Sequence, residues 1–220
     1  MLSAENLVSI ESEGRRLGLT ARRDPERPVP QYPDWTLADL AAHTGSIHGR
    51  TTLVVTQLPI ERISAPHPPE GVDILDWYEE TLNEMLAALR DADPSLPCWG
   101  FIPDATVGFW ENRMVVETGV HRWDAYQAFG EEDRLTDHVA LTGLDEFNAM
   151  WHPRLEQIQP LEVIAEDLGR SWIYGDGEPS ASVSGTASDI YLRFMSRPSP
   201  VVLPDDWVAA VDGLPPPPKR

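Results

Sequence analysis

Glu117-Thr-Gly-Val-His121, inside a run from about 107 to 129, and Trp35-Thr-Leu-Ala-Asp-Leu-Ala-Ala-His43 decide how this chain reads. The longer run carries Trp110, Met114, Glu117, His121 and Ala128 along one helical stripe. Residues four apart on a helix lie one above the other. A carboxylate and an imidazole therefore stand where apolar residues are expected. A buried charge is costly unless it is paired or ligating. His43 falls on the stripe of Leu40 and Ile47, so it too is expected to face inward. Two imidazoles and one carboxylate make a three-ligand site for a divalent metal with positions left open, the pattern of a catalytic centre. The plain alternatives are an exposed ion pair for Glu117 and His121 and a hydrogen-bonded core histidine for His43.

Working outward, the periodicity predicts more helices. Leu7, Ile10, Gly14 and Leu17 mark one over about 4–18. Thr36 with Asp39 three residues on resembles a capping box and starts a helix to about 56. Ile74, Tyr78, Leu82, Met85 and Leu89 mark another over 73–91, and a shorter one covers about 138–152. Arg22 to Pro33 holds Pro25, Pro28, Pro30 and Pro33 and reads as irregular loop. Helices of this number and length form a bundle. After Pro160 the pattern changes to short strands at 161–165, 171–174 and 181–184, with Gly175-Asp-Gly177 as a hairpin turn signal. A helix over 186–196 and a strand at Val201-Val-Leu follow, then an extended Pro-rich tail, Pro215 to Arg220. The fold class is α+β, with a helical bundle over 1–155 and a small α/β unit over 156–220.

Composition limits the partners. The net charge of −19 argues against nucleic acid, whose phosphates need Lys and Arg, and against anionic membrane surfaces. The single cysteine, Cys98, excludes a disulfide within the chain. The N-terminus lacks the pattern of a signal peptide, and no apolar run approaches a membrane span. A soluble cytoplasmic protein is expected, monomer or homodimer, acting on a small molecule.

Trp35-x4-Leu40-x2-His43 followed by Trp110-x2-Arg113-x3-Glu117-x3-His121-Arg-Trp-Asp124 resembles the mycothiol-dependent maleylpyruvate isomerase family, within the wider DinB-like four-helix metalloproteins. Gly185-Thr-Ala-Ser-Asp189 resembles a stretch in that family's C-terminal, sterol-carrier-like α/β domain. The resemblance implies His43, Glu117 and His121 as metal ligands, with zinc the usual ion. It implies Arg197 as an arginine that reaches the active site. It implies mycothiol as the thiol cofactor, since neither metal helix carries a cysteine. A metal-bound thiolate would then add to an electrophile (S-transferase), or add to and leave an unsaturated acid such as maleylpyruvate (isomerase). Where the family often has Cys-Pro-Gly-Trp, this chain has Tyr32-Pro-Asp-Trp35, which reads as structural. A non-catalytic metal or small-molecule binding module and a metal-dependent hydrolase are the other readings.

Further residues have narrower expectations. Arg113, four before Glu117, is a candidate ion partner for it. Asp124 can accept from a ligand imidazole or pair with Arg122 or Arg113. His48 points away from the ligand face and reads either as structural or as a support behind the ligands. Trp99 and Trp110 are candidates for lining a pocket, and Cys98 reads as a packed thiol.

Overall fold

A computed structural model describes residues 3–155 and 157–213, the side chains of 152–155 excepted. The tail expected to be extended lies outside the described residues. The element order is α1 (Ala4–Ala21), β1 (Pro28–Val29), β2 (Tyr32–Thr36), α2 (Leu37–Gln57), α3 (Ile74–Asp91), α4 (Val107–Gln127), α5 (Asp137–Leu155), β3 (Leu161–Ala165), β4 (Arg170–Tyr174), β5 (Ala181–Gly185), α6 (Ala187–Phe194) and α7 (Asp205–Asp212). The chain divides into two compact units between Asp133 and Arg134. The architecture is α+β, with an N-terminal helical bundle and a C-terminal mixed sheet with helices. Among the described residues, no helix is long and apolar enough to cross a membrane.

The first unit packs α1 to α4. The capping box forms as the sequence suggests: Asp39 N–H donates to Thr36 Oγ1 at 3.2 Å, and Thr36 N–H donates to Asp39 Oδ2 at 2.9 Å. Asp73 caps α3 by accepting from the N–H groups of Leu75 and Asp76. These caps satisfy orphan amides and fix where each helix starts. Gly14 lets α1 lie close to α3, because a Cβ there would meet the Leu82 methyls at 2.8 Å. The Tyr78 hydroxyl donates to Gly14 O at 2.9 Å across the same contact. Helix α4 is buried on nearly every side, with Trp110, Met114, Val115 and Val116 all at 0% exposure. It is tied to α1 by a buried ion pair in which Arg122 Nε donates to Glu13, and Arg122 also pairs with Asp133.

The proline-rich segment is not wholly irregular. Residues 28–29 and 32–36 pair antiparallel, with a register shift at Pro28/Val29. A two-stranded ribbon is all edge, so it tolerates proline where a central strand does not. The buried faces of Val29, Tyr32 and Trp35 hold it on the bundle.

The second unit contains α5, although the sequence carried the bundle to about 155. Helix α5 packs on α6 and β4. Gly143 of α5 meets the Tyr191 ring of α6 so closely that a Cβ would sit 2.3 Å from it. Phe147, Tyr174, Phe194 and Trp207 form the aromatic core, with Phe147 and Phe194 centroids 4.5 Å apart. The sheet order is β4-β3-β5. Strand β3 runs antiparallel to β4 and parallel to β5, with Leu161 opposite both Tyr174 and Ala181. The hairpin turn is therefore at 166–169, where Gly169 takes φ +60°. Gly175 and Gly177, also at positive φ, start the crossover from β4 to β5 rather than a hairpin. Residues 201–203 make no strand. Val201 and Leu203 are buried in an extended lead-in to α7, whose Trp207 and Val211 face the core.

Candidate metal centre

Helices α2 and α4 bring His43, Glu117 and His121 together, one ligand atom from each lying within 4.8 Å of the other two. Glu117 Oε1 lies 3.3 Å from His43 Nε2 and 3.2 Å from His121 Nε2. The other carboxylate oxygen, Oε2, accepts from Arg113 Nη2 at 2.9 Å. His121 Nδ1 lies 3.0 Å from Asp124 Oδ2, and Asp124 is completely buried. Both contacts are among those the sequence left open for Asp124 and Arg113. Both are one helical turn from the residues they hold, which is why spacing alone suggested them.

The charges agree with the geometry. Burial pushes the Glu117 carboxyl up, but hydrogen bonds from His121 and His43 and the charges of His121 and Arg113 outweigh it, and the group lies well below the usual carboxylate range. Burial pulls His121 down, but Asp124 and Glu117 outweigh that and raise it above the ordinary imidazole value. The two ring nitrogens of His121 thus each face a carboxylate, Nδ1 that of Asp124 and Nε2 that of Glu117.

The donor set fits a divalent ion. Bonds of about 2.0–2.1 Å in a tetrahedral arrangement separate neighbouring donors by about 3.3 Å. The two nitrogen–oxygen separations have that value. Asp124 occupies Nδ1 of His121 and so presents Nε2 to the site, the carboxylate–histidine arrangement common behind metal ligands. Arg113 occupies one oxygen of Glu117 and leaves the other facing the imidazoles.

Two aromatic rings border this cluster, and the sequence treated them as structural only. Trp35 lies 5.0 Å from the His43 ring and Tyr32 lies 6.1 Å from the His121 ring, the two stacking at 4.5 Å. Their place just before the His43 helix was the available signal. His48 is not a ligand. It is fully buried, with Nε2 3.1 Å from Thr118 Oγ1. Cys98 is buried and its thiol is pushed up by burial, so it is a packed residue rather than a nucleophile. Arg197 lies in the second unit, half-buried after α6, and its Nη1 donates to Met195 O at 2.7 Å.

The family model described as the mycothiol maleylpyruvate isomerase N-terminal domain matches residues 10–126. The chain belongs to that family. The matched span holds all three ligand candidates. Among solved structures, the chain is similar to the mycothiol-dependent maleylpyruvate isomerase, at 14% identity and a TM-score of 0.67, covering 89% of this chain and 90% of that one. It is also similar to a histidine-to-alanine mutant of the mycothiol-dependent maleylpyruvate isomerase, at 13% identity and a TM-score of 0.63, covering 86% of each chain. At these identities the likeness shows the fold alone. No curated protein matches. The matched span thus carries, in His43, Glu117 and His121, a cluster suited to a divalent cation.

Proposed function

We propose that this protein is a metal-dependent enzyme that uses mycothiol as its thiol cofactor, of the S-transferase or maleylpyruvate isomerase type. The observation that carries the reading is the convergence of His43 Nε2, Glu117 Oε1 and His121 Nε2 in a bundle whose only cysteine is buried elsewhere in the chain. Those three residues would hold the ion, with zinc favoured by the two imidazoles and by the family. When bound, such an ion supplies an open position that holds a thiol in its deprotonated, nucleophilic form.

The chain's own residues have distinct tasks. Asp124 fixes the tautomer and ring orientation of His121. Arg113 holds Oε2 of Glu117 and leaves Oε1 as the oxygen that would ligate the ion. Tyr32 and Trp35 shield the imidazoles from water on one side. Arg197 would pair bidentately with the carboxylate of an unsaturated acid, a role its planar guanidinium suits better than a lysine. The second unit is read as the sterol-carrier-like domain of the family, and the compartment as cytoplasmic.

Steady-state turnover of electrophiles and unsaturated acids, with and without mycothiol at constant metal, tests the reading. Turnover is expected only with the thiol, and Arg197→Lys is expected to slow carboxylate substrates more than neutral ones. Equal rates with and without thiol would favour a hydrolase or a binding module instead.

A further inference from the structure

A second polar site lies in the first unit, on different residues. A pocket of about 270 Å³ is lined by Arg50 of α2 and by Arg62, Ile63, Ser64, Ala65 and His67 of the following loop. That volume is just below the roughly 300–1,000 Å³ of small-molecule sites. No acidic side chain lines it. In a chain of net charge −19, a pocket walled by two arginines and a histidine stands against the overall sign. Beyond a Debye length of about 8 Å the acidic surface is screened, so local charge governs what enters.

The pocket is built. Arg50 is only 5% exposed, and its guanidinium carbon lies 5.4, 5.6 and 5.7 Å from the ring centroids of Phe101, Trp110 and Trp99. These rings hold the cation in place by cation–π attraction, and the residue lines the pocket. The loop is seated on the helix at Gly49, where a Cβ would come within 2.5 Å of Pro66 Cγ. Ala65, at 5% exposure, anchors the same loop. Arg62 contrasts with the arginines of the bundle surface. Arg15, Arg22 and Arg23 are spent on carboxylates. Arg62 is exposed and makes no ion pair or hydrogen bond with any described residue. Ser64 adds an exposed hydroxyl donor.

We propose that this pocket is an anion site that binds the carboxylate or phosphate group of a small organic molecule, gripped between Arg50 and Arg62. Planar forks in fixed positions suit either oxyanion. The proposal stands on the pocket alone and does not depend on the metal chemistry.

Isothermal titration calorimetry tests it, with inorganic phosphate in one arm and malonate in the other, on chelator-treated protein. Saturable binding is expected in at least one arm, and the tighter arm tells which headgroup the site prefers. Arg62→Ala alters an exposed side chain and is expected to weaken binding by about tenfold or more, the scale of a lost charge-assisted hydrogen bond. Arg50→Met, which keeps a long side chain against the rings, is expected to do the same. His121→Ala is expected to bind as the wild type does, which separates this site from the triad. Absence of saturable heat in both arms, or binding unchanged by Arg62→Ala, would overturn the proposal.

Discussion

His48 ties the stability of the bundle to pH, and replacing it by glutamine should remove that tie. The ring is fully buried on α2, 3.1 Å from Thr118 Oγ1 and 5.5 Å from the Tyr78 ring centroid. Burial lowers its pKa to about 3, the Glu117 charge opposing and the His121 and His43 charges adding to the fall. In the unfolded chain an imidazole takes its proton near pH 6.5. The native state therefore binds fewer protons than the unfolded state between those values. Stability is full above about pH 6.5 and is lost as pH falls towards 3. The gap of about 3.5 pH units corresponds to about 5 kcal/mol at its limit, and to about 3 kcal/mol at pH 4. His48→Gln keeps a polar group near Thr118 but does not titrate. Urea unfolding at pH 7 and pH 4, with chelator present so that metal release adds no second term, measures the difference. Wild type should lose about 3 kcal/mol more than His48→Gln between the two pH values. Equal losses would show that His48 is not held neutral by burial, and the reasoning would fail.

Two further outcomes follow from the buried polar contacts. Arg122→Met leaves Glu13, 2% exposed, without its main buried partner, and should cost about 3–5 kcal/mol by urea unfolding, much of it restored in the double variant with Glu13→Gln. Asp124→Asn removes the carboxylate behind His121 and should weaken metal binding by about 10–100-fold in a competition titration with a chelator, while the fold, read by circular dichroism, stays intact.

Much of the bundle was legible because its signals are local. Thr36 and Asp39 form the capping box their spacing suggests, and the apolar stripe of Tyr78, Leu82, Met85 and Leu89 lies on the buried face of α3, with Ile74 half-buried at its start. The triad was legible for the same reason: Glu117 and His121 are one turn apart on a helix otherwise buried. Contacts between distant segments were less so. Whether α5 joins the bundle or the sheet depends on Gly143 fitting the Tyr191 ring, which no periodicity records. Whether Gly175 to Gly177 turn a hairpin depends on which strand β3 accepts as its neighbour. The ribbon of β1 and β2 was hidden by its prolines, which only an edge pairing tolerates. The arginine pocket was invisible because its wall is a loop without period, and Arg50 is buried by rings far along the chain.

The central claim is that His43, Glu117 and His121 form a metal centre. Elemental analysis of protein purified without added chelator, beside His121→Ala prepared in the same way, tests it most directly. Stoichiometric divalent metal in the wild type and near none in the variant is the expected result. A His121→Ala protein that keeps its full metal content would contradict the account.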